Sequence, residues 1–281
     1  MTADSLTIGQ FQIHGLRDGF FCLDGGAMFG VVPKTLWEKK YPADEHNRIR
    51  LGLNSILIRT EDNNVLVETG IGTHLDDKFN DLYSLDIQPG LVDSLNDAGL
   101  KREDIDYVIN THLHFDHCGG NTLINSQGEI IPTFPQAKYV VQKGEWEFAC
   151  HPTPRDKPSY MEKYFRPLEG HKQLQLVEGD TQILEGVEVL LTPGHTAFHQ
   201  CVKIESEGQV LFFLGDLVPT SGHVGLPYVM SYDLFPLETM QNKEKFYKLA
   251  IEEDWIMAFN HDPEFFFGKI KKKDDKYIFL P

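Results

Sequence analysis

The chain has 281 residues, 41% of them hydrophobic and 24% charged, with a formal net charge of −16 when histidine is neutral. That is ordinary for a globular protein able to bury a core without covalent staples, and a field of that sign repels phosphate backbones, which excludes nucleic acid as a partner. Cys22, Cys118, Cys150 and Cys201 are far apart with no CxxC pair, no apolar run reaches membrane-spanning length, and the opening MTADSLTIGQF lacks a basic then apolar leader; a cytoplasmic location with no membrane partner is expected.

Taken in order, residues 11–16 and 20–23 read as one hairpin, and 53–59 and 65–69 as a second turning at Asp62-Asn63-Asn64. Between them, residues 24–50 are rich in Gly, Pro and aromatics with little regular pattern, the mark of a functional loop. A helix over 91–98, closed by Gly99, precedes a strand over 107–110. Another strand is predicted at 138–142 and a helix at 145–149, before an aromatic, Pro-bearing cap at 151–172. Strands return at 187–191, 200–204 and 210–214; a helix over 238–252 leads to a strand at 255–259, and the basic run 269–276 reads as a solvated hairpin. With no linker or repeat, the reading is one α/β domain over 1–281, two sheets packed face to face with helices outside.

The strand at 107–110 runs into His112-Leu113-His114-Phe115-Asp116-His117. Histidines at i and i+2 on a strand-end loop project toward one point, and the following Asp-His pair reaches a second point a few ångströms away. Imidazole and carboxylate suit zinc, and also manganese, iron or cobalt. Two ions need further ligands. His195, Asp216 and His261 each follow a predicted strand and are the candidates, while Gly119 and Gly120 let the chain turn beside the cluster. His14, His46, His74, His151, His171 and His199 lack such context and read as ordinary surface or hydrogen-bonded core residues. Cys118 adjoins the cluster as small packing.

THLHFDHCGG, TPGHT, FLGD and FNHD, in this order, resemble the successive metal motifs of the metallo-β-lactamase superfamily. The resemblance implies an αββα sandwich with the site at one edge of the sheets. It places His112, His114 and His195 on a first metal, Asp116, His117 and His261 on a second, and Asp216 between them. One departure is visible: Glu68 stands where the resemblance expects an aspartate that supports the ligand loop. Histidine at every expected position, with no glutamate inside HxHxDH, argues against the redox di-iron branch.

Such a site predicts hydrolysis, in which two cations bring a bridging water's pKa to roughly 7 and the hydroxide attacks a carbonyl, with Asp116 as the proton shuttle. The segments 24–34, 215–220 and HVGLPYVMSYD at 223–233 are similar to those of quorum-quenching lactonases, which open N-acyl homoserine lactones. On that resemblance the loop and the cap form an apolar groove lined by Met28, Phe29 and Trp37, and Tyr228, Tyr232 or His223 supplies a donor over the substrate carbonyl. The competing readings are a phosphotriester or phosphodiester hydrolase, a thioester hydrolase of glyoxalase II type, and a metal-stabilised ligand sensor without turnover. The partner is then a small ester or lactone, and the resemblance also implies a homodimer.

Overall fold

A computed structural model describes residues 5–73 and 75–281, so His74 and the first four residues of the opening stretch lie outside it. In chain order the strands are β1 (Ser5–Ile8), β2 (Phe11–Asp24), β3 (Arg48–Arg59), β4 (Asn64–Val67), β5 (Tyr107–Ile109), a small hairpin β6 (Thr122–Ile124) and β7 (Ile130–Pro132), β8 (Lys138–Gln142) and β9 (Leu174–Val177). The second half supplies β10 (Thr181–Leu184), β11 (Val187–Leu191), β12 (Gln200–Ser206), β13 (Gln209–Phe213), β14 (Ile256–Ala258), β15 (Phe267–Lys273) and β16 (Lys276–Leu280). One seven-stranded sheet runs β1-β2-β3-β4-β5-β8-β9 and the other β10 through β16 in sequence order.

Period-two alternation builds the layers, because successive strand residues face opposite sides of a sheet. Ile56 and Ile58 of β3, Val65 and Val67 of β4, Ile109 and Val140 meet Val187, Val189, Val202, Ile204, Leu211 and Phe213 of the second sheet. The alternate residues Leu57, Leu66, Val108, Tyr139 and Val141 turn to the helices on the outer face of the first sheet. Those helices are α1 (Gly25–Phe29), α2 (Lys34–Trp37), α3 (Asp77–Tyr83), α4 (Leu91–Asp97), the short α5 (Phe115–Cys118), α6 (Lys143–Cys150) and α7 (Glu162–Gly170). Behind the second sheet, α8 (Pro236–Glu252) packs Phe246, Tyr247 and Ala250 against Phe212, Leu214 and Met257. The result is the expected αββα sandwich. β-Branched residues dominate between the sheets, and Leu and aromatics fill the sheet–helix seams.

Two local expectations are corrected. The hairpin read at 11–23 is a single strand, β2, interrupted by a register shift between Arg17 and Gly19. Gly19, at φ 129°, makes a bulge rather than a turn. Asp18 is consumed in accepting from Ile71 N–H and Gly72 N–H (2.9 and 3.2 Å) and from Leu91 N–H (2.8 Å). The segment 24–50 is not irregular: it holds α1, capped by the Asp24 carboxylate on Ala27 N–H (2.7 Å), α2, and the first residues of β3. The four cysteines are unpaired, and among the described residues no helix is long and apolar enough to cross a membrane.

Candidate metal centre

β4 and β5 run parallel in the first sheet, and β13 and β14 run parallel in the second. β11 shares the direction of β13, because two antiparallel steps separate them. The segments leaving the C-terminal ends of these strands meet at one rim. Backbone bonds stitch the sheets together there: Gly52 N–H donates to His261 O and Asn54 N–H to Asn260 O, at 2.9 and 2.8 Å. The buried amides of Asn54 and Asn260 add bonds from Asn54 to Phe259 O and Asp262 O and from Asn260 to Asn54 O.

Seven side chains converge at this rim in three overlapping groups whose ligand-capable atoms lie within 4.8 Å of one another: His112, His114 and His195; His112, His117 and Asp216; Asp116, His117 and His261. Asp216 sits between them, its Oδ2 3.2 Å from His195 Nε2 and its Oδ1 3.3 Å from His261 Nε2. Asp116 Oδ2 lies 3.6 Å from His261 Nε2 and 3.8 Å from His117 Nε2. The glycines after the cluster serve close approach rather than turning. A Cβ on Gly119 or Gly120 would stand 2.1 Å from Ile71 O or 2.3 Å from Thr69 O, so only glycine lets this loop pack on the end of β4.

Outer partners fix which ring nitrogen faces inward. His195 Nδ1 donates to the Asp233 carboxylate (3.0 Å) and His261 Nδ1 to Gly52 O (2.9 Å), leaving both Nε2 atoms toward the centre. His112 Nδ1 pairs with Thr111 Oγ1 at 2.9 Å, and His117 Nδ1 lies 3.5 Å from Glu68 Oε2. His199, set aside on sequence as ordinary, is indeed a hydrogen-bonded core residue, yet it supports the rim. Its Nε2 accepts from Asp216 N–H (3.1 Å) and its Nδ1 donates to Thr192 Oγ1 (2.8 Å), with burial pushing its pKa down to about 3.

The donor set fits divalent ions on two counts. Buried His112 Nε2 and Asp216 Oδ1 have no hydrogen-bond partner, while ring nitrogens face each other at 3.1 Å (His195 and His114) and 3.2 Å (His261 and His117). Lone pairs so close need a cation or a proton between them. The field agrees. Burial alone would depress His117, but the carboxylates of Asp216, Asp116 and Glu68 outweigh it and hold the ring well above its ordinary value. Burial and the neighbouring rings keep His112 and His114 well below theirs, so both remain neutral donors.

Above the centre lies a pocket of about 280 Å³ floored by His114, Asp116, His195, Asp216 and His261. Leu23, Met28, Met230 and Leu234 give it an apolar side, Arg155 and Ser159 come from the cap, and Tyr83 and Tyr232 also stand on its wall. Burial raises both phenols above their ordinary value, helped by the Asp116 charge at Tyr83 and first by the Asp24 charge at Tyr232, so both are protonated donors. Of the three residues proposed to face the substrate carbonyl, Tyr232 reaches this pocket and two do not. His223 is sealed beneath it, with Nε2 donating to Met28 O (2.9 Å) and Nδ1 accepting from Thr220 (2.7 Å). Tyr228 packs edge-on against Phe29. Phe29 and Trp37, expected to line the groove with Met28, are instead core: they stack at 5.4 Å, and Phe29 stacks on His223 at 4.3 Å.

The profile of the metallo-beta-lactamase superfamily matches residues 49–261, which span all seven converging side chains. The chain belongs to the metallo-β-lactamase superfamily. An N-acyl homoserine lactonase of Bacillus thuringiensis is 29% identical over 80% of this chain and 78% of that protein. A probable metal-dependent hydrolase from Staphylococcus aureus superposes with a TM-score of 0.88 at 34% identity, covering 98% of this chain and 99% of that one. AidC, a dizinc quorum-quenching lactonase solved with its product, gives 0.80 at 21% identity over 99% and 96%, a likeness of fold.

This metallo-β-lactamase superfamily hydrolase also carries supports that no motif announced. Fully buried Glu145 accepts from Leu113 N–H (3.1 Å) in the ligand loop, from Tyr160 Oη (2.9 Å) in the cap and from Thr196 Oγ1 (2.7 Å) beside His195. Tyr160 packs its ring on His114 at 4.8 Å. Glu145 and Asp233 lie far in sequence from the residues they serve, and Tyr83 reaches the pocket wall from the end of α3; a local pattern holds no trace of such placements. A larger concavity of about 980 Å³, lined by Gln10, Arg59, Glu61, Gln182, Glu188 and Lys203 among others, contains none of the seven clustered side chains.

Proposed function

We propose that this hydrolase is a dinuclear-metal lactonase that opens N-acyl homoserine lactones. The observation that carries the reading is the overlap of the three ligand groups, through His112 and His117, at the floor of a pocket with one apolar side. His112, His114 and His195 would hold one ion and Asp116, His117 and His261 the other, with Asp216 offering an oxygen to each. Divalent ions there, zinc foremost among those such donors suit, would supply an activated water at neutral pH and polarise the substrate carbonyl. The Asp116 carboxylate, on the pocket floor, would take a proton from a water attacking the carbonyl and return it to the ring oxygen that leaves. Tyr232 and Tyr83 keep their phenolic protons and can donate them to the carbonyl oxygen or the acyl amide. The acyl chain lies along Leu23, Met28, Met230 and Leu234, excluding water from one side of the reacting ester. Lactonases among the relatives support this assignment.

The test is metal content of the purified protein combined with acid release in a pH-stat from lactones of short and long acyl chain. About two metals per chain, and acid release abolished by a chelator, are expected. Asp116→Asn should remove turnover while circular dichroism is unchanged; an active variant would take the proton role from Asp116. Metal without acid release from any lactone would move the reading to phosphoesters, and absence of metal would overturn it.

A further inference from the structure

The pocket has two walls, each anchored to the body of the protein by its own bonds. On the cap side, Phe115 N–H donates to Ser159 O at 2.9 Å, and Tyr160 holds Glu145. On the other side, fully buried Lys243 of α8 donates to the carbonyls of His223, Gly225 and Tyr228 at 2.7, 2.8 and 3.0 Å, and Leu234 N–H donates to His195 O at 3.1 Å. Between those anchors stand Ser231, whose N–H donates to Ala27 O at 2.8 Å, and Tyr232, and the carbonyls of both face the cap. Arg155 reaches them from the cap: its Nη2 donates to Ser231 O (2.8 Å) and Tyr232 O (3.5 Å), while Nη1 donates to Asp156 Oδ1 (3.2 Å).

We propose that Arg155 is a latch and a specificity-determining residue: by tying the cap to the main chain at 231–232 it sets the width of the pocket mouth, and so which acyl groups reach the metal floor. Three features favour this over an ordinary surface arginine. The two carbonyls belong to residues that themselves line the pocket, so the tie spans the mouth. It grips main chain, which leaves the Ser231 and Tyr232 side chains free to meet substrate. The Arg155 side chain is 51% exposed, so water can replace either carbonyl and the tie opens without unfolding its anchors. The planar fork matters too, since Nη2 serves the carbonyls while Nη1 holds Asp156 of the cap, two fixed directions that the point donor of a lysine does not supply.

The acyl-selectivity part rests on the lactonase reading; the latch itself does not, and the test separates them. Arg155→Met keeps the stem and removes the fork. Hydrogen exchange over residues 229–234, read by mass spectrometry without substrate, should quicken about fivefold or more in the variant while Tm stays put. On a series from butanoyl to decanoyl homoserine lactone, the long-to-short ratio of kcat/KM should rise about fivefold, through KM and with kcat little changed. Arg155→Lys should recover part of both effects. Unchanged exchange with unchanged selectivity overturns the proposal. So does an equal loss of kcat at every chain length, which would put Arg155 in the chemistry. Should the wild type open no lactone, the exchange measurement still decides the latch, and the series is run on aryl esters instead.

Discussion

Glu68 shows how one residue can support the site from a strained position. It is fully buried with φ 66°, a left-handed conformation costing a non-glycine residue about 1–2 kcal/mol. Its neighbourhood holds it there: Glu68 N–H donates to Ile109 O and Thr69 N–H to His117 O. From that position Oε1 accepts from Thr111 N–H at 2.6 Å and Oε2 faces His117 Nδ1. A carboxylate one methylene shorter would reach these two partners less well, which gives the departure from aspartate a physical reason. Glu68→Ala should weaken metal binding about 10- to 100-fold, measured by competition with a chromophoric chelator, with Glu68→Asp in between. Unaltered affinity in the alanine variant would remove Glu68 from this supporting role.

At the scale of elements, α8 matters less for its amphipathic face than for Lys243, which holds the segment 223–228 by its carbonyls. Burial pushes the Lys243 ammonium down to about 7 from an ordinary 10.5, with the Asp233 charge opposing. The folded state therefore binds this proton more weakly than the unfolded chain does. Its contribution to stability is full above pH 10.5 and is lost as the pH falls through about 7. Lys243→Met should cost roughly 2–5 kcal/mol in urea unfolding, from carbonyls left without a donor, and the gap from wild type should widen between pH 7 and 9. A gap independent of pH would show that Lys243 keeps its proton throughout. The strands themselves were legible as short apolar, β-branched runs: β4, β8, β11 and β13 match their predicted spans to within a few residues, while β3 begins at Arg48 rather than at 53. Legibility failed where one residue type serves two ends. Asp18 and Gly19 look like a turn but make a bulge and a backbone acceptor. Phe29 and Trp37 look like groove lining but are core, because an aromatic in a loop carries no mark of the side on which it will be covered. The seven converging side chains announced themselves through strand-end motifs, whereas Glu145, Asp233 and His199 act through contacts of long sequence separation.

Across the whole molecule, the seven side chains come from both sheets: His112, His114, Asp116 and His117 follow β5, and His195, Asp216 and His261 follow strands of the second. Ions bound there would cross-link the layers of a chain carrying −16 charges. Ligand at a thousand times its dissociation constant adds about 4 kcal/mol to stability. Chelation should accordingly lower Tm by roughly 5–10 °C in scanning calorimetry, and added zinc should restore it. A Tm indifferent to chelator would mean that the sandwich stands without the ions.

The rim also imposes an order on biosynthesis. His261 stands 144 residues after His117, with all of the second sheet through β14 between them. Synthesis from the N-terminus makes the HxHxDH loop long before its distant partners, so a nascent chain would offer an ion only part of the cluster. An ion bound at this rim would therefore find its whole set of partners only once β14 has docked, so that selection among ions would belong to the finished fold rather than to the loop alone.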